Sequence, residues 1–80
     1  MSSNINLNLF LNLMVTIKLN GQSYYIDRKI NLLQLTIYFN FADLLLVLEH
    51  NNVIYEKTSW EKIFISDSDK IEIVTIVGGG

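Results

Sequence analysis

Residues 14–27 read MVTIKLNGQSYYID, and the reading of this stretch decides the fold. Val15, Ile17 and Leu19 are apolar with Thr16 and Lys18 between them, the period of two that marks a half-buried strand. Asn20-Gly21 follows at once, and both residue types tolerate the positive φ of a tight two-residue hairpin turn. The stretch is therefore a β-hairpin, with strands over Met14–Leu19 and Gln22–Asp27.

Working back from the hairpin, every odd position from Ile5 to Leu19 is apolar. A single strand across that run, at about 3.3 Å per residue, would be roughly 50 Å long, against a usual strand of about 5–6 residues. Residues 1–13 are accordingly expected to be a loosely ordered N-terminal extension, the alternative being an additional edge strand. Met14 is a second candidate start.

Working forward, Asn31-Leu-Leu-Gln34 has the form of a capping box, in which Asn31 accepts from the third helical amide and Gln34 reaches back. A helix is expected from there, although the following LTIYFNF is β-branched and aromatic and suits a strand on propensity. The cap decides it, together with Leu32, Leu35 and Phe39 on one face. Leu44–His50 is apolar on both faces until its end, as a central strand covered by the helix should be. Asn51-Asn52 is a turn, Val53–Glu56 a short strand, Ser59–Ile65 a single irregular turn carrying Trp60, and Lys70–Val77 the last strand. A hairpin, a crossing helix and further strands make an α+β domain: a mixed sheet of four to five strands packed on one main helix, the ubiquitin-like β-grasp arrangement. Its first and last strands are expected side by side in the centre. Domain limits follow as extension 1–13, β-grasp domain 14–77 and glycine tail 78–80.

With 80 residues, half of them hydrophobic, the chain supports one small core. Cysteine is absent, so no disulfide, thiolate metal site or nucleophilic thiol is available from this chain. A net charge of −2 gives no basic field for nucleic acid. No apolar run reaches the roughly 20 residues of a membrane span. One Ala, one Arg and no Pro, beside many Asn, Ile and Lys, point to an A+T-rich genome such as that of an organelle or endosymbiont. The expected compartment is the cytoplasm, or the plastid stroma for an organelle-encoded chain.

The candidate site is the end of the sequence, IEIVTIVGGG. Gly78 and Gly79 lack a Cβ, which suits a segment that must thread a narrow channel. Gly80 would present a carboxylate with no side chain crowding its carbonyl carbon, and the segment from Val77 reaches about 13 Å when extended. Val74 and Ile76 share the strand face of Glu72 yet are apolar, so they form either a partner-docking patch or a surface covered by the chain's own loops or by the N-terminal extension.

Three segments, VTIKLNGQ, LLLVLEHNNVIYEKTSW and DSDKIEIVTIVGGG, together resemble the ThiS family of ubiquitin-like sulfur carriers in thiamine biosynthesis. The similarity runs from Met14 to Gly80. Ser68 and Asn52 depart from the family pattern by standing where it carries glycine, both at αL-prone turn positions. The resemblance implies a carrier that is a co-substrate and not an enzyme. A ThiF-like E1-type adenylating enzyme would activate the Gly80 carboxylate with ATP, a sulfur donor protein bearing a persulfide would convert it to a thiocarboxylate, and a ThiG-like thiazole synthase would take the sulfur for thiazole formation. No cofactor or metal would be bound by the carrier itself. A MoaD-like carrier for molybdopterin synthesis and a ubiquitin-like protein modifier are the alternatives.

Other residues carry less. His50 has no cysteine or clustered carboxylate beside it in the sequence and is read as a turn histidine. Trp60 is read as a core anchor. Asp67-Ser68-Asp69 is a polar turn, because the twelve-residue calcium-loop pattern is absent. Lys18, Arg28 and Lys29 are a solvated surface.

Overall fold

The computed structural model describes residues 13–41 and 45–76. The elements are strand β1 (Met14–Leu19), strand β2 (Gln22–Asp27), helix α1 (Leu32–Tyr38), strand β3 (Leu46–His50), strand β4 (Val53–Tyr55), a 3₁₀ helix (Lys57–Lys62) and strand β5 (Lys70–Thr75). They build a five-stranded mixed sheet in the order β2-β1-β5-β3-β4. The first and last strands are parallel neighbours and β5 is central, as the sequence predicts.

The hairpin has the predicted register, Leu19 opposite Gln22 and Met14 opposite Asp27. Asn20 and Gly21 have φ of 50° and 84°, the left-handed pair of a type I′ turn, whose twist matches that of the strands it joins. Asn51 and Asn52 repeat the solution between β3 and β4, with φ of 50° and 71°.

Helix α1 is entered through the predicted capping box: Asn31 Oδ1 accepts the Gln34 amide at 2.8 Å and Gln34 Oε1 accepts the Asn31 amide at 3.0 Å. Leu32 and Leu35 are fully buried and Phe39 packs partly against the core, so cap and buried face overrule the strand propensity of this segment. The exit is a Schellman motif. The Phe41 amide donates to Thr36 O at 2.7 Å and the Asn40 amide to Ile37 O at 3.1 Å, with Asn40 taking the left-handed position at φ 64°.

The core lies between α1 and one face of the sheet. Val15, Ile17 and Leu19 of β1, Ile71 and Ile73 of β5 and Leu48 of β3 all point into it. Trp60 closes one end, 3% exposed, with its indole N–H donating to Tyr55 O at 2.9 Å. That anchor corrects the expectation of an irregular turn at Ser59–Ile65. Tying Trp60 back to the strand just before it winds Lys57–Lys62 into the 3₁₀ helix instead. Two boundaries also shift. Strand β4 ends at Tyr55, and β5 as a regular strand ends at Thr75, while residues 1–12 of the extension expected over 1–13, the start of β3 at Leu44 and the end of β5 at Val77 lie outside the described residues.

Candidate functional site

Gly78, Gly79 and Gly80 lie outside the described residues, so the site is built from the strand that leads to them. Strand β5 is held on both sides. Toward β3 it is antiparallel, Val47 opposite Val74 and Leu46 opposite Thr75, and the Ile76 amide continues the ladder by donating to Leu45 O at 2.8 Å. Toward β1 the backbone pairing spans Lys18–Lys70 and Leu19–Ile71, and is then extended by a side chain. Asn20 Oδ1 accepts the Ile73 amide at 2.8 Å and Asn20 Nδ2 donates to Ile73 O at 3.1 Å. The turn residue thus does the work of a further strand residue.

Strand alternation places Ile71 and Ile73 in the core and Lys70, Glu72 and Val74 on the outer face, with Ile76 beyond them. Val74 is 62% exposed and Ile76 48%. Among the described residues no loop of the chain covers them, and the other cover the sequence allows, the N-terminal extension, lies outside the described residues but for Leu13. Registers across β4, β3 and β5 arrange the outer face in rows: Lys18 beside Lys70, then Ile54, Glu49 and Glu72, then Val47 and Val74, then Leu45 beside Ile76. The face is graded, from basic through acidic to apolar, and the apolar end is the one from which the chain runs on toward Gly80. Leu45 and Ile54, missed as surface residues in the sequence, are 68% and 67% exposed. Only the register, which aligns three strands, reveals that they join Val74 and Ile76.

At the opposite end of β5 lies a polar cluster. Asp69, 6% exposed, accepts from Asn51 Nδ2 at 3.0 Å and from the Ser66 amide at 2.7 Å, and its Oδ2 lies 2.7 Å from His50 Nε2. Burial works to raise the Asp69 carboxyl, but hydrogen bonds from Asn51, His50 and Ser66 and the neighbouring His50 outweigh it, so the group titrates below its ordinary 3.8. His50 is therefore not the partnerless turn histidine the sequence suggests. Its carboxylate lies 19 residues away and meets it because β3 ends where β5 begins. The cluster is structural. Ser66 contributes its backbone amide, and among the described residues no three His, Cys, Asp or Glu side chains gather as a metal site.

The remaining turn residues are structural too. Asp67 Oδ1 accepts the Thr16 amide at 2.9 Å and the Ser68 amide donates to Thr16 O at 2.7 Å, stitching this turn to β1. Arg28 and Lys29 are exposed and make no ion pair among the described residues.

A central last strand between β1 and β3, a helix packed over the sheet and a solvent-facing apolar end define a β-grasp domain of the ubiquitin-like class. The sequence model of the ThiS family matches residues 17–80, and the chain belongs to that family. It is thus a ThiS-like sulfur carrier, one of a class of small carrier proteins. The ycf40 protein of Trieres chinensis is 62% identical over 65 residues, 81% of this chain and 89% of that one. The ycf40 protein of Pyropia yezoensis is 32% identical over 66 residues, 82% and 93% of the two chains. Among solved structures, the thiamine biosynthesis protein (ThiS) from Geobacter metallireducens superposes with a TM-score of 0.71 at 22% identity, covering 82% of this chain and all of that one.

Proposed function

We propose that the chain carries sulfur on Gly80 for thiazole formation in thiamine biosynthesis. The observation that carries this reading is the reach of the family match: it runs to residue 80 and so includes the glycines, which follow a strand anchored as far as Ile76.

In the proposed cycle the Gly80 carboxylate attacks the α-phosphorus of ATP on a ThiF-like enzyme, releasing pyrophosphate and forming an acyl-adenylate. Activation is needed because a free carboxylate has only oxide as a leaving group. The terminal sulfur of a donor's persulfide then attacks the carbonyl carbon and AMP leaves. A partner thiol attacks the resulting acyl disulfide, freeing the thiocarboxylate and leaving a disulfide on the partner. A ThiG-like thiazole synthase receives the sulfur. This chain has no cysteine, so every thiol in the sequence belongs to a partner. Its own contributions are a rigid strand, an unbranched acyl end and the apolar surface on which the enzymes dock. Ordering the three glycines costs about 1–2 kcal/mol each, which docking at Val74 and Ile76 helps to offset. The ycf40 name of the relatives is in the style used for plastid reading frames, and supports the plastid stroma as the compartment.

The test is intact-mass analysis after incubation with ATP, the adenylating enzyme and a persulfide donor. One oxygen should be exchanged for sulfur, and a chain lacking Gly80 should remain unchanged. Conjugates to lysines in place of that exchange would identify a protein modifier, and absence of any adenylate would overturn the carrier reading for this chain.

A further inference from the structure

Glu49 of β3 and Glu72 of β5 stand directly opposite each other on the outer face of the sheet. Like charges in that relation destabilise a sheet, and neither is needed by the core, which lies on the other face. Glu72 has one cation at 3.5 Å, Lys70, on its own strand. Glu49 has no ion-pair partner among the described residues, and its other cross-strand neighbour is the exposed Ile54. Neither charge sits on a loop or at an edge, where repulsion could relax. The two carboxylates occupy the interior strands of the sheet, one row from Val47 and Val74, a step of about 7 Å along a strand.

We infer that this pair is the polar half of the docking face and receives an arginine of the adenylating enzyme. The inference rests on the carrier reading above and names the chemistry of that partner's surface: an apolar centre for Val74 and Ile76 with one guanidinium set beside it. A guanidinium is planar, carries five donors and sheds water more readily than an ammonium, so it can lie between two carboxylates and hydrogen-bond to both. Seating it would convert the repulsion between Glu49 and Glu72 into attraction shared by both. The row of Lys18 and Lys70 bounds the acidic row on the far side and repels a cation displaced by one row, which fixes the register of docking. A partner with a neutral or acidic side chain at that point would leave two desolvated carboxylates facing each other, so the pair also selects against wrong partners.

The experiment compares the full chain with its E49Q/E72Q variant in the ATP-dependent adenylation assay, with thermal unfolding of both. The expected result combines opposite signs. Apparent affinity for the adenylating enzyme falls about tenfold or more, and loses much of its salt dependence, while Tm stays level or rises by a few degrees. Unchanged affinity in E49Q/E72Q, with the wild type adenylated, would overturn the inference and leave the carrier reading intact. A fall in affinity accompanied by a fall in Tm would also overturn it, by showing the pair to be structural. A wild-type chain that the enzyme does not adenylate at all would remove the carrier reading and this inference with it.

Discussion

Asn20 and Ile73 are joined as two strand residues would be, although one of them contributes only its side chain: an amide donates each way, at 2.8 and 3.1 Å. The carboxamide of Asn20 copies a peptide group and carries the β1–β5 ladder past the point where β1 has already turned into its hairpin. The dipeptide that closes one hairpin therefore also fastens the central strand, and Asn is required at position 20 for a reason that turn geometry alone does not give.

Asn20→Gly separates the two roles. Glycine takes φ of 50° without strain, so the turn should survive, but both hydrogen bonds to Ile73 are lost. Unfolding in urea should show a loss of about 1–2 kcal/mol. The Ile73 amide should exchange with solvent faster than its neighbours in β5. An Ile73 amide as protected as in the wild type would show that the backbone ladder holds β5 without help.

Ser68 has φ of 68°, a conformation that costs a non-glycine residue about 1–2 kcal/mol, and its side chain makes no hydrogen bond among the described residues to recover it. Ser68→Gly should therefore stabilise the fold by about 0.5–1 kcal/mol after the greater freedom of unfolded glycine is counted, a rise of a few degrees in Tm. Asn52→Gly, at φ 71°, should gain less, because asparagine tolerates this region better. A lower Tm for Ser68→Gly would contradict the strain argument.

The Asp69 cluster should make stability sensitive to acid. The Asp69 carboxyl titrates below 3.8 in the folded chain, so its contribution is complete above the unfolded value and is lost as pH falls through the lower, folded one. Unfolding free energy should thus fall on acidification below about pH 4. In Asp69→Asn that acid limb should be shallower, with stability at pH 7 reduced by about 2 kcal/mol because the charged acceptor of three groups has gone. An acid limb of unchanged depth in the variant would assign the effect to other carboxylates.

Neighbouring residues of β5 should respond in opposite ways. Ile73→Asp puts a charge in the core, where the side chain is 5% exposed, and should unfold the domain. Val74→Asp and Ile76→Asp add charge to exposed positions and should change stability by no more than about 0.5 kcal/mol, while weakening the adenylating enzyme's hold on the chain. Circular dichroism melts beside the adenylation assay check both halves. A destabilised Ile76→Asp would place Ile76 in the core.

Local signals made the first half of the fold legible. Asn20-Gly21 and the alternation around it specify the hairpin, and the Asn31–Gln34 box starts the helix despite the β-branched residues after it. What escaped the sequence depends on contacts between distant segments. The partner of His50 is set by where β3 ends against β5, and the 3₁₀ helix by one indole reaching back to Tyr55. Val74 and Ile76 stood out because apolar residues broke the alternation of a half-buried strand. Leu45 and Ile54 carried no such sign, since their face is defined only by their neighbours across the sheet. The pairing of Glu49 with Glu72 was hidden for the same reason.

The central place of β5 has a mechanical consequence. A pull along the chain from Ile76 runs parallel to β5 and loads in shear its bonds to Leu45 and β3 on one side and to Asn20 on the other, where an edge strand would have bonds on one side alone. An enzyme that draws on the end of this chain takes hold of the strand best able to bear the tension.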